Sequence, residues 1–128
     1  MTPIRSESGD QGTSQAPVHQ GPHYVPVPDI AEALGVVVTK VHQLVRERVL
    51  LTVRRDGVLT VPAEFVADRA VVKGLAGTIT LLTDAGYADQ EIIDWLFTAD
   101  DSLPGTPIQA LRGDRGREVK RRAQSAGF

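Results

Sequence analysis

Eight polar side chains between residues 39 and 55 have the chemistry and the spacing to contact a nucleic acid. Lysine and arginine bind phosphate oxygens, and amide or hydroxyl groups exchange hydrogen bonds with the edges of bases. Residues 39, 43 and 46 would share one face of a helix. The candidates are Thr39, Lys40, His42, Gln43, Arg46, Arg48, Arg54 and Arg55. The set predicts cations that hold a phosphate backbone, with Gln43 and Thr39 facing base edges and His42 as a further polar contact.

The flanking residues predict two helices and a tight turn that position these side chains. Gly35 would end the first helix, because glycine adopts a left-handed conformation at little steric cost. We expect Val36 to fill the corner between the helices. Thr39 is expected to cap the second helix, since Val37 stands where Ser, Thr or Asp is common. The apolar faces are Ile30, Ala31 and Leu34 on the first helix and Val41, Leu44 and Val45 on the second. This spacing is typical of a helix-turn-helix, whose second helix enters a groove of DNA.

A two-stranded hairpin is predicted directly after the second helix. Residues 51–55 alternate between apolar and polar types, Asp56-Gly57 is a preferred type I′ turn, and residues 58–61 form the returning strand. A hairpin in this position is a wing, with Arg54 and Arg55 near its tip. Because successive side chains of a strand point to opposite faces, one arginine should matter much more for binding than the other. The alternative is a generic pair of hairpins with no nucleic-acid role.

Catalytic and metal-binding patterns are missing from the sequence. The three histidines, His19, His23 and His42, do not form a ligand set. No glycine-rich phosphate loop follows a predicted strand, and no serine or threonine has the context of a nucleophile elbow. Acidic pairs such as Asp100-Asp101 fit a solvated loop better than a catalytic dyad. We therefore expect no enzyme activity, no cofactor and no metal.

The distribution of charge explains how a chain with a net charge of −2 could bind DNA. Residues 28–62 carry five basic and four acidic side chains, residues 63–105 carry two and eight, and residues 106–128 carry six and two. The position of the positive charge decides phosphate binding, and the total does not. The small excess in residues 28–62 predicts weak binding with a strong salt dependence.

Composition indicates a cytoplasmic protein. The sequence contains no cysteine, which fits a reducing compartment and excludes disulfides and thiolate ligands. No apolar run approaches the roughly 18–20 residues of a membrane span, and the N-terminus lacks the apolar core of a signal peptide. The low aromatic content of 5% argues against an RNA-binding protein that stacks bases. No membrane partner is expected.

Three segments follow from the pattern along the chain. Residues 1–25 are rich in Ser, Thr, Gly, Gln and Pro and are expected to form a disordered tail, whose last residues, Tyr24 and Val25, dock onto the fold. Residues 26–66 form the winged helix-turn-helix. Residues 67–128 form a helical C-terminal domain. The predicted fold class is mostly α: two helices and a β-hairpin wing, followed by further helices.

Two long runs and a short one are similar to sequences of a known family: LGVVVTKVHQLVRERVLLTVRRDGVLTVP, GLAGTITLLTDAGYADQEIIDWLFTADDSLPGTPIQAL and the terminal REVKRRAQ. From about residue 24 to residue 128, the chain resembles the actinobacterial winged-helix DNA-binding proteins that are substrates of the Ser/Thr protein kinase PknL in mycobacteria. The resemblance implies DNA binding through the winged helix and phosphorylation of a threonine in the tail that lowers DNA affinity. The tail departs from the family in sequence, so Thr2 and Thr13 are candidates by residue type alone.

Two functions are compatible with these patterns. The first is a protein that binds double-stranded DNA, as a transcriptional regulator or a nucleoid-associated protein, and is regulated by a Ser/Thr protein kinase acting on its tail. The second is a protein-interaction adaptor or antitoxin-like module that binds a partner through its helical C-terminal domain. The pattern from PIQAL to REVKRRAQ supports the second, because it also resembles the toxin-binding domain of some antitoxins.

Overall fold

The computed structural model describes residues 21–100, 103 and 105–126, so the candidate phosphorylation sites Thr2 and Thr13 lie outside the described residues. The winged helix-turn-helix comes first and further helices follow, which confirms the predicted fold class. The elements are β1 (Tyr24–Pro26), α1 (Val27–Leu34), α2 (Val38–Arg46), β2 (Val53–Arg55), β3 (Val58–Pro62), a 3-10 helix (Ala63–Phe65), β4 (Val66–Ala67), β5 (Ala70–Val71), α3 (Leu75–Asp84), α4 (Asp89–Leu96), α5 (Pro107–Arg112) and α6 (Gly116–Ser125).

Strand β3 lies at the centre of a three-stranded antiparallel sheet, with β1 on one side and β2 on the other. Val25 pairs with Val61 across the first interface, and Val53 pairs with Thr60 across the second. Tyr24 and Val25 therefore dock as a strand.

The turn between α1 and α2 follows from Gly35, which adopts a left-handed conformation with φ of 73°. Its amide donates to the Glu32 carbonyl at 3.1 Å, and that of Val36 donates to the Ala31 carbonyl at 2.9 Å. This is the Schellman pattern expected at a helix end. Two details of the prediction were wrong. Val36 is 37% exposed rather than filling the corner, and Thr39 does not cap α2, because the helix already begins at Val38.

The hairpin of β2 and β3 turns at Asp56 and Gly57, as predicted. Their φ angles of 52° and 80° are both positive, as a type I′ turn requires. Pairing begins only at Val53, two residues later than the alternation suggested. Leu51, which was expected to begin the strand, is buried in the core instead. The turn therefore holds Arg54 and Arg55 at the end of a short two-stranded projection.

One cluster of buried apolar side chains runs from α1 to α6 and joins the winged helix to the C-terminal helices. Phe65 is fully buried, and its ring centroid lies 6.1 Å from that of Phe97, near the end of α4. The Arg112 guanidinium, at the end of α5, donates to the carbonyl oxygens of Glu64 at 2.8 Å and Val66 at 2.9 Å. The C-terminal helices thus support the segment that follows β3.

Candidate nucleic-acid interface

The outward face of α2 presents three of the candidate side chains together. Thr39, Gln43 and Arg46 are exposed, while Val41, on the opposite side of the helix, is completely buried. Lys40 is exposed on one flank of this face, and His42 is half-buried on the other. Helix α2 is therefore anchored by its apolar side and offers hydroxyl, amide and guanidinium groups to a partner.

Glu47 also belongs to this surface, although the charge pattern had not singled it out. Gln43 Nε2 donates to Glu47 Oε2 at 2.9 Å. The spacing of four residues along a helix was the available signal, because residues so placed are neighbours on its surface. The amide of Gln43 is thus held by a carboxylate within the protein, and a base must displace that bond to be read by Gln43.

Three consecutive valines are exposed at the start of α2. Val36 is 37% exposed, Val37 is 70% exposed and Val38 is 39% exposed. Sequence analysis assigns apolar residues to the core, so it did not predict that these valines are exposed. The signal was the missing cap: neither Val37 nor Val38 can bond the free amides of a helix start. These side chains place an apolar surface beside the polar face of α2.

The two arginines of the hairpin point in different directions. Arg54 Nη1 donates to the Gly57 carbonyl at 3.0 Å, so this guanidinium folds over the turn. The Arg55 guanidinium lies 4.5 Å from the centroid of the Tyr24 ring on β1. A guanidinium stacked on an aromatic ring keeps its N–H groups free at the edge. Both arginines remain available to anions, from opposite faces of the hairpin.

Arg48 is directed away from α2 and towards the C-terminal helices. Its guanidinium lies 2.9 Å from Asp89 Oδ1 at the start of α4 and donates to Thr83 Oγ1, near the end of α3, at 3.0 Å. Its backbone is left-handed, with φ of 63°. The structure therefore does not bring Arg48 together with the other candidates; it joins α2 to the C-terminal helices.

Arg69 is a cation that the sequence pattern did not connect with the helix-turn-helix. It lies in the turn between β4 and β5, where Asp68 and Arg69 both have positive φ angles. Its guanidinium rests against Gly35, in the space that a larger residue would fill. A contact across 34 positions carries no local signal. The turn between α1 and α2 thus has a cation beside it.

Two other kinds of feature are absent from the part of the chain that the structure describes. There, no group of three or more histidine or acidic side chains is arranged to hold a metal ion. No helix within the same residues has the length and apolar character needed to cross a membrane.

Two family descriptions match the sequence. One, "DNA-binding protein Rv2175c, wHTH domain", covers residues 18–66, and the other, "Rv2175c C-terminal domain of unknown function", covers residues 72–127. The DNA-binding protein Rv2175c of Mycobacterium tuberculosis is 44% identical over 80% of this chain and 79% of its own length. An NMR structure of Rv2175c matches the fold with a TM-score of 0.75 and 38% identity, over 89% of this chain and 87% of that one. The chain therefore belongs to the Rv2175c family and carries its winged helix-turn-helix DNA-binding domain.

Proposed function

We propose that this protein binds double-stranded DNA in the cytoplasm, as a transcriptional regulator or a nucleoid-associated protein. Helix α2 enters the major groove, and the β2–β3 hairpin lies on the neighbouring backbone. The observation that carries this proposal is the exposed face of α2, with Thr39, Gln43 and Arg46 opposite the buried Val41. The second helix of a helix-turn-helix presents such a face to bases. The similar mycobacterial protein is itself named a DNA-binding protein.

The side chains divide into those that hold phosphates and those that read bases. Lys40, Arg46, Arg54 and Arg55 are exposed cations at the edges of the surface, and they bind the sugar-phosphate backbone. Thr39 and Gln43 contact base edges. To do so, the Gln43 amide gives up its hydrogen bond to Glu47 and bonds an adenine instead.

Val37 adds an apolar contact to this polar set. It precedes α2 and is the most exposed of the large apolar side chains in the described part of the chain. The first residues of a recognition helix lie deepest in the major groove, where the methyl group of thymine is the apolar feature. Val37 therefore favours a thymine at the position that it reaches.

The N-terminal tail is the proposed site of regulation by a Ser/Thr protein kinase. The tail enters the fold at β1, which pairs directly with the hairpin strand β3, and Arg55 already contacts Tyr24 of β1. A phosphate on Thr2 or Thr13 adds about −1.5 to −2 charge and competes with DNA for these cations. Phosphorylated protein should bind DNA more weakly. Mass spectrometry that places phosphate only within residues 63–128 would contradict this part of the proposal.

Binding of the full-length protein to a panel of duplexes at several salt concentrations tests the function. Arg54→Ala and Arg55→Ala should each weaken binding to all duplexes alike. The variant with the larger effect should flatten the slope of log K against log salt by about 0.9. Gln43→Ala should instead change the preference among duplexes by about 1–3 kcal/mol.

Two surface variants serve as controls for these three. Arg122, which is paired with Asp100, and Gln124 lie on α6, so Arg122→Ala and Gln124→Ala should leave binding and preference nearly unchanged. If the parent binds no duplex even at low salt, DNA binding is wrong and the adaptor function takes its place. If the parent binds and all three variants bind like it, α2 and the hairpin are not the contact surface.

A further inference from the structure

A second group of exposed cations lies on helix α6. Val119 and Ala123 bury the inner side of this helix, so Arg117, Lys120 and Arg121 are exposed on it. None of these three has a hydrogen bond or ion pair to another described residue. Two further arginines of this region differ, since Arg115 lies 3.4 Å from Glu118 and Arg122 lies 3.1 Å from Asp100. One helix thus carries both unpaired and internally paired arginines.

These unpaired cations line a groove of about 660 Å³ between the starts of α3 and α6. Lys73 contributes a fourth cation from the segment before α3, and Gly74, Leu111 and Gly116 also line the groove. The end of the Lys120 side chain lies against Gly77 of α3. Asp114 and Glu118 also line it, but Glu118 is already paired with Arg115. The groove therefore has an excess of positive charge.

The groove continues towards the winged helix. A smaller depression shares Lys73, Leu111 and Asp114 with it and runs along the β4–β5 hairpin. The turn of that hairpin carries Arg69, whose guanidinium rests on Gly35 beside the start of α2. Arg69 has no hydrogen bond or ion pair among the described residues. We call Arg69, Lys73, Arg117, Lys120 and Arg121 the C-terminal track.

We propose that the C-terminal track binds the phosphate backbone of the same duplex whose bases α2 reads. This inference rests on the proposed function and assigns a binding role to the C-terminal domain. Exposed cations that have no partner among the described residues, one of them beside the recognition helix, suit the negative charge of a DNA strand. The net charge of residues 28–62 is only slightly positive, so the track supplies phosphate contacts that the winged helix lacks.

Two double variants of equal charge test the track in the full-length protein. Arg117→Gln with Arg121→Gln removes two unpaired cations, and Arg115→Gln with Arg122→Gln removes two paired ones from the same region. Both pairs change the net charge equally. The first should flatten the slope of log K against log salt by about 1.8, at roughly 0.9 per phosphate contact. The second leaves Glu118 without its partner beside the groove, so it should weaken binding slightly, but it removes no phosphate contact and should leave the slope within a few tenths of that of the parent. Circular dichroism confirms that both variants are folded.

The outcomes separate this inference from the proposed function. Arg46→Gln, on α2, is the reference variant and should flatten the slope by about 0.9. If Arg46→Gln weakens binding and the Arg117/Arg121 variant binds like the parent, the C-terminal track does not bind DNA, while the winged helix remains the DNA surface. If both double variants lose binding equally, net charge and not the track is responsible, and the inference is overturned. If the parent binds no duplex, the proposed function itself fails.

Discussion

Arg48 occupies a backbone position that suits glycine. Its amide donates to Val45 at 3.0 Å, and that of Val49 donates to Leu44 at 2.9 Å, the same pattern with which Gly35 ends α1. A left-handed conformation costs a residue with a side chain about 1–2 kcal/mol. The Arg48 guanidinium offsets part of this cost by contacting Asp89 and Thr83. The Arg48 side chain thus stabilises a conformation that its backbone disfavours.

Substitution of Arg48 can separate these two effects. Arg48→Ala removes the ion pair and keeps the backbone strain, so it should lower the free energy of unfolding by about 0.5–1 kcal/mol. Arg48→Gly removes both and should be more stable than the alanine variant by about 1 kcal/mol. Urea unfolding of the three proteins measures the difference. Equal stability of the glycine and alanine variants would mean that the backbone at this position is not strained.

If α2 binds DNA as proposed, Glu47 opposes that binding in two ways, since it holds the Gln43 amide and places a carboxylate beside the proposed phosphate contacts. Glu47→Gln should therefore raise the affinity for all duplexes about threefold, which corresponds to about 0.6 kcal/mol. Fluorescence anisotropy with labelled duplexes measures it. Asp94→Asn is the matched control, because Gln90 Nε2 bonds Asp94 Oδ1 at 3.0 Å with the same spacing on α4. An equal gain from Asp94→Asn would show that only total charge is involved.

At the scale of elements, the turn between α1 and α2 sets the direction of the recognition helix and also receives Arg69. Gly35→Ala should lower the free energy of unfolding by about 1–2 kcal/mol, because φ of 73° is unfavourable for alanine. The new methyl group would also displace the Arg69 guanidinium. Gly77→Ala is the contrasting variant: in α3 its Cβ meets the Lys120 stem at 3.7 Å, an ordinary contact, so it should stabilise the protein by about 0.5–1 kcal/mol. Thermal unfolding of both proteins checks the opposite signs.

At the scale of the whole molecule, the continuous core predicts that both halves unfold together. Phe65 lies in that core, fully buried and close to Phe97. Phe65→Ala should cost about 3–5 kcal/mol, and the fluorescence of Trp95 on α4 should change at the same denaturant concentration as the far-ultraviolet circular dichroism. Val58→Ala, at an apolar but 46% exposed position on the hairpin, is the control and should change stability little. Two separate transitions would contradict a shared core.

The fold was predictable where the signal is local. Gly35 and Asp56-Gly57 specify backbone conformations by residue type, and all three residues have the positive φ angles that their turns require. The candidate site was predictable only in part. Arg48 is positioned by a contact with Thr83, 35 residues later, and Arg69 by a contact with Gly35, 34 residues earlier. No short sequence pattern encodes contacts over such distances. The exposed Val37 was missed because a valine is ordinarily a core residue.

The two hydrogen bonds of Arg112 have a consequence for the order of events on the ribosome. The carbonyl groups of Glu64 and Val66 receive this donor from a residue 48 and 46 positions later in the chain. During synthesis, the recognition helix and hairpin emerge well before the helices that support them. A nascent or truncated chain therefore carries the residues proposed to contact DNA without the packing that holds them in place, and only the finished chain should bind DNA with full affinity.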